Sequence, residues 1–143
     1  MALPTHIQLQ IVSADRSLVN ETVDEVEIPG ADGYFGVLPG HTPLLGLLGA
    51  GELWYRQGPG DANKHYLSIA FGFAEVQPDR VTILAQIAEK AGEIDVGRAE
   101  VAKQRAEERL SKPTRDMDFE RARIAMLKAL TRLQAATRAR TRA

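Results

Sequence analysis

Leu67-Ser68-Ile69-Ala70-Phe71-Gly72-Phe73-Ala74-Glu75-Val76-Gln77-Pro78-Asp79-Arg80-Val81-Thr82-Ile83-Leu84-Ala85-Gln86-Ile87 decides the fold class. Apolar residues recur with period two on both sides of Gln77-Pro78-Asp79-Arg80: Leu67, Ile69, Phe71 and Phe73 before it, Val81, Ile83, Ala85 and Ile87 after it. That alternation predicts half-buried strands, and the Pro-Asp turn predicts a hairpin of Phe71 to Val76 with Val81 to Ile87. The pattern repeats outward. Glu52 to Arg56, with Leu53 and Tyr55 on one face, pairs with His65 to Ala70 across Gly58-Pro59-Gly60-Asp61, while Ile7, Leu9, Ile11 and Val26, Ile28 supply earlier strands. Turn signals at Pro29-Gly30, Asp32-Gly33 and Pro39-Gly40 separate them. Short strands punctuated this often read as an antiparallel β-sandwich or barrel over residues 1–88.

From residue 89 onward period and charge both change. Residues 1–88 carry 4 Lys+Arg against 10 Asp+Glu, whereas residues 111–143 carry 9 against 3. Asp95 is placed to cap a helix whose stripe is Ala99, Ala102, Ala106 and Leu110. Ser111-Lys112-Pro113-Thr114 interrupts it, because proline removes a donor and disfavours helical dihedrals at the preceding residue. A second helix begins near Asp116 or Asp118, with Phe119, Ala122, Met126, Ala129 or Leu130, and Leu133 along its stripe. Residues 89–143 therefore read as an antiparallel two-helix hairpin, and the fold class as α+β. An alanine seam buries little apolar area, so the hairpin is expected to be labile.

Composition excludes much chemistry. With 143 residues, 44% hydrophobic and 26% charged, the chain is an ordinary globular protein of one or two small domains. The absence of cysteine removes disulfides, thiol nucleophiles and Cys-based metal sites. No glycine precedes Lys-Ser or Lys-Thr, none of the four serines lies in Gly-x-Ser-x-Gly, and His6, His41 and His65 are scattered. The reading is a binding protein with no catalytic residues, no metal site and no required cofactor. Met1-Ala2-Leu3-Pro4-Thr5-His6 lacks a secretory signal, which predicts that the chain stays on the side of the membrane where it is made. The charge-free run Gly33 to Ala50 is too rich in Gly and Pro to span a bilayer.

The segment Pro29-Gly30-Ala31-Asp32-Gly33-Tyr34-Phe35-Gly36-Val37-Leu38-Pro39-Gly40-His41-Thr42-Pro43-Leu44-Leu45, with Gly72-Phe73-Ala74-Glu75-Val76 downstream, resembles the epsilon subunits of F-type ATP synthases. The likeness covers almost the whole chain, from Val12-Ser13-Ala14 through Val81-Thr82-Ile83-Leu84-Ala85 to Ile94-Asp95-Val96-Gly97-Arg98-Ala99. It implies a non-catalytic rotor subunit of the central stalk that couples proton transport to ATP synthesis. Its partners would be the gamma subunit, the c-ring, and the alpha and beta subunits of the catalytic head. It would associate peripherally, through the complex, with the cytoplasmic face of a bacterial inner membrane. The sandwich would bind gamma and the c-ring, and the hairpin would regulate by folding back on the sandwich or extending to block ATP hydrolysis.

Residue by residue, the resemblance places Asp32, Gly33, Tyr34, Phe35 and His41 near the c-ring. Many members carry an acid where this chain has Tyr34, so an exposed Tyr34-Phe35 pair is expected there instead of a charged contact. Arg121, Arg123, Lys128 and Arg132 are expected to meet an acidic segment of the beta subunit, in keeping with the basic helix they share. ATP is a regulatory ligand of some bacterial members, and the resemblance draws its site here from Glu89, Asp95, Arg98, Arg105, Lys128 and Arg132. Lys128 departs from those members' Arg and lacks its bidentate geometry. A nucleic-acid partner is not expected, because Phe119 is the only aromatic after residue 73 in the basic part. A free-standing interaction module would call for Leu-rich heptads in its hairpin.

Overall fold

The computed structural model describes residues 2–112 and 118–141. Seven strands form one hydrogen-bonded sheet: β1 (Ile7–Val12), β2 (Ser17–Val23), β3 (Glu25–Gly30), β4 (Gly33–Val37), β5 (Leu44–Arg56), β6 (Lys64–Gln77) and β7 (Arg80–Lys90). Their spatial order is β2-β1-β7-β6-β5-β3-β4. The sheet curls over one core, since Val23 on edge strand β2 and Val37 on edge strand β4 belong to the same buried cluster as Ile7, Leu9, Ile28, Leu53 and Ile83. This is the expected sandwich, antiparallel throughout save that β1 runs parallel to β7. β7 continues two residues beyond the expected boundary at 88, and a short 3-10 turn, Ala91–Glu93, leads to the helices.

The long strands correct the simple alternation. On β6 the core residues are Leu67 and Ile69, then Ala74 and Val76, so the buried face changes from odd to even positions. β5 and β7 change phase likewise, with Leu48 followed by Leu53 and Tyr55, and Val81, Ile83 and Ala85 followed by Ala88. The switch on β6 lies at Phe71 and Gly72, whose φ values are 63° and 116°. A Cβ on Gly72 would sit 2.0 Å from the Leu84 carbonyl oxygen, so the kink brings two backbones together as only glycine permits. Strands that switch layers in this way build both walls of the sandwich from one sheet. Phe73 and Ile87, expected inward, are accordingly exposed.

The segment around Asp32 to Leu45 also differs from a plain loop. Gly33–Val37 is a strand paired with β3, and Leu44 already belongs to β5. Adjacent residues on a strand face opposite ways. Tyr34 is therefore exposed while Phe35 packs against the core, and the expected Tyr34-Phe35 surface pair does not form.

Helix α1 (Val96–Ser111) opens where expected: Asp95 Oδ1 accepts the Arg98 N–H at 3.0 Å. Helix α2 (Phe119–Thr141) is capped by Asp118, whose Oδ1 accepts the Arg121 N–H at 3.1 Å. α1 ends at Ser111, as the proline signal implies; Pro113, Thr114 and Asp116 lie outside the described residues. Glu100 and Lys103 of α1 share a groove with Leu130, Leu133 and Arg138 of α2, which sets the two helices antiparallel. α2 has two buried sides. Ala122 and Ala129 belong to the expected stripe, but Thr131 and Ala135 are also buried. Ala135 and Ala136 meet Tyr66, Ala91 and Ile94, so α2 lies between α1 and the sheet.

Candidate functional site

The junction between α2 and the sheet gathers three of the expected residues, Glu89, Lys128 and Arg132. Its apolar centre is Tyr66, Ala91, Ile94, Ala135 and Ala136, bordered by Trp54, Val96 and Ala139. Two ion pairs bracket it. Arg132 grips Glu89 of β7 with both arms, Nε to Oε2 at 2.9 Å and Nη2 to Oε1 at 3.3 Å. Arg138 Nη1 lies 3.2 Å from Oε1 of Glu52 on β5, a carboxylate only 6% exposed. One turn before Arg132, the Lys128 ammonium stands 5.9 Å from the Phe71 ring, at the kink of β6. The 3-10 turn that leads to the helices is fastened as well: Arg16, in the β1–β2 turn, pairs with Glu93, and its hydrogen bond holds the Glu93 carboxyl below the usual range.

These contacts divide the residues expected to bind ATP. Glu89 and Arg132 come together, but as an ion pair with each other. Asp95 is occupied as a helix cap, while Arg98 and Arg105 are exposed on α1. The groove between α1 and α2, lined in part by Glu100, Lys103, Leu130 and Arg138, contains none of the six. The four residues expected to meet the beta subunit split in the same way. Lys128 and Arg132 face the sheet. Arg121 is exposed, and Arg123 is exposed and clasped by Glu120, whose hydrogen bond raises the guanidinium pKa.

The c-ring candidates lie on β4 and the segments that flank it. Asp32 and Gly33 form the exposed tip between β3 and β4, with Gly33 at φ 135°. The Tyr34 hydroxyl accepts the Glu52 N–H at 3.1 Å, and the side chain crosses Gly51, where a Cβ would lie 2.5 Å from that oxygen. His41 Nδ1 hydrogen-bonds the Thr42 carbonyl at 2.6 Å, a local structural role.

Sequence reasoning missed two features. One is Glu52, whose acid among apolar neighbours on β5 was the available signal. The other is an exposed apolar row, Leu47, Phe73 and Leu84, directly paired across β5, β6 and β7 and each more than half exposed. With Leu45 beside it, this is an apolar patch of the kind that marks an interface.

Comparison with known proteins settles what such a molecule is. Residues 6–91 match the family model described as ATP synthase, Delta/Epsilon chain, beta-sandwich domain, and residues 93–137 match its long alpha-helix domain. The chain is 44% identical to the ATP synthase epsilon chain of Solibacter usitatus, over 94% of this chain and 98% of that one. It belongs to the ATP synthase epsilon-chain family. The epsilon chain of Syntrophobacter fumaroxidans is 48% identical over 91% of this chain and 95% of its own length. A chain in the Euglena gracilis mitochondrial ATP synthase structure (OSCP/F1/c-ring, rotational state 1) superposes with a TM-score of 0.80 at 26% identity, covering 96% of this chain and 84% of that one. Like other epsilon chains, this one is a non-catalytic stalk subunit. No helix among its described residues is long and apolar enough to cross a membrane.

Proposed function

We propose that this epsilon chain is the rotor subunit whose sandwich stays fixed while its hairpin regulates, by leaving the sheet to block ATP hydrolysis in the catalytic head. The observation that carries this reading is the contrast between the two attachments. The sandwich is closed by a continuous apolar core, whereas the hairpin is held by a few small residues and two ion pairs. A rigid platform suits torque transmission, and a lightly held element suits a switch, since about 5 kcal/mol of differential affinity inverts a two-state population.

The partners follow from surfaces. The row Leu47, Phe73 and Leu84 is the docking face for the gamma subunit, and the Asp32–Gly33 tip with Tyr34 and His41 is directed at the c-ring. The complex is placed at the cytoplasmic face of a bacterial inner membrane, with alpha and beta subunits as the hairpin's partners. Arg121 and Arg123, free of the sheet, make first contact with acidic groups of the beta subunit, and Lys128 and Arg132 join only after undocking. ATP binding by the hairpin would compete with Glu89 for Arg132 and would otherwise rest on Arg98 and Arg105.

The test is ATP hydrolysis by the assembled complex carrying Arg121→Ala with Arg123→Ala. Neither residue supports the docked state, so loss of inhibition is expected as faster hydrolysis. Hydrolysis unchanged from wild type would overturn the inhibitory role of the basic helix.

A further inference from the structure

Glu52, Ser68 and Glu89 stand directly opposite one another on three adjacent strands: Glu52 pairs with Ser68, and Ser68 with Glu89. They form a row running across the strands, with an acid at each end and a buried serine at the centre. The cations that meet the two acids, Arg138 and Arg132, come from one helix. Two inter-strand steps span about 9.5 Å, and the six residues from Arg132 to Arg138 rise about 9 Å along a helix. The two spacings match only when α2 crosses the strands instead of running along them. At roughly 100° per residue, Arg132 and Arg138 also fall about 60° to either side of Ala135, so both reach the sheet while Ala135 faces it squarely. Ala135 is wholly buried there, between the two ion pairs.

We propose that this row is a two-point docking site that fixes the polarity and register of α2 on the sheet, taking a basic helix with two arginines six residues apart around a small residue. Small alanines alone specify neither. An alanine face slides by a turn, or reverses, with little change in buried area, whereas either motion breaks both arginine pairs. Removing one member of a partly buried pair leaves the other's charge uncompensated even where the pair itself adds little affinity, and that asymmetry is what gives register specificity. The row thereby also sequesters Arg132, which cannot hold Glu89 and a second acid at once. This inference goes beyond the rotor reading and does not depend on it, because it concerns the isolated chain alone.

The chain has no cysteine, so spin labels at Asp79→Cys and Gln104→Cys report the distance from sheet to α1 in the full-length protein. Glu89→Arg should raise the displaced population about tenfold, because the pair is lost and a like-charge contact with Arg132 takes its place. Adding Arg132→Glu should restore a single short distance, and adding Arg138→Glu should not. Amide exchange of β1 and β7 verifies that the sandwich is intact in each. If charge reversal prevents folding, the cycle Glu89→Gln, Arg132→Gln and both together reads the same coupling, the double variant being no more displaced than either single one. Equal rescue by Arg138→Glu and Arg132→Glu, no rescue by Arg132→Glu, or an unchanged distance in Glu89→Arg would overturn the proposal, as would additive effects in the glutamine cycle.

Discussion

Ala135→Phe probes the attachment of the hairpin at its tightest point. Ala135 has no exposed surface and is packed with Tyr66, Ala91 and Ile94. A phenyl ring has no space to enter between helix and sheet. Overpacking of this kind costs about 2–3 kcal/mol, which must be met by lifting α2. The substitution leaves the charge pattern and both ion-pair residues in place, so the effect is steric. What it opposes is small: the methyls of Ala135 and Ala136 contribute about 0.8 kcal/mol each, and two partly exposed ion pairs add about 1 kcal/mol or less apiece. The perturbation is therefore of the same order as the attachment. Amide hydrogen exchange followed by mass spectrometry should show α2 exchanging about 30- to 150-fold faster than wild type, at 1.4 kcal/mol per factor of ten. β1, β6 and β7 should keep their protection, because the sandwich core shares no buried member with the junction. If strands and helix lose protection together, hairpin and platform are one cooperative unit and the separable-switch reasoning fails.

Phe73→Asp with Leu47→Asp should abolish retention of purified gamma subunit by the full-length chain while leaving the thermal midpoint within a few degrees, since both positions are exposed; gamma bound at wild-type levels would remove the docking face from that row. Gly72→Ala should destabilise the sandwich by more than about 3 kcal/mol in urea titration, combining a strained positive φ with a clash against backbone; a variant within 1 kcal/mol of wild type would show the kink to be compliant. The Asp24 carboxyl is held below its ordinary pKa by the Gly58 N–H at 2.6 Å and by His6 at 2.8 Å. A depressed carboxyl pKa stabilises the fold above the unfolded value near 3.9 and loses that contribution as pH falls through the folded value. Glu93 and Glu120 are lowered in the same sense by Arg16 and Arg123. Asp24→Asn should thus flatten, without abolishing, the fall of the urea midpoint between pH 4 and pH 2, and a slope equal to wild type would refute the assignment.

The part of this fold legible in the sequence is the part governed by a single local rule. Ile7, Leu9 and Ile11 alternate and are all buried, and Asp95 caps the helix it precedes. Phe73 and Ile87 defeat the same rule because the period is set by one sheet face, and the three long strands change face midway. Nothing in Phe71-Gly72 announces this by composition alone, since a non-glycine at φ 63° is what local propensity argues against. The second face of α2 was hidden for a different reason. Lys128, Thr131, Arg132, Ala135 and Arg138 carry no apolar periodicity, yet they form the surface that meets the sheet. Under the proposed switching role, the helix must remain soluble once it has left the sheet, and a docking face composed of residues at home in water suits that. The polar character that concealed the dock from the sequence is thus the property that makes undocking affordable. The same argument accounts for Glu52 and Glu89, which satisfy arginines in the docked state and expose charge, instead of grease, in the other.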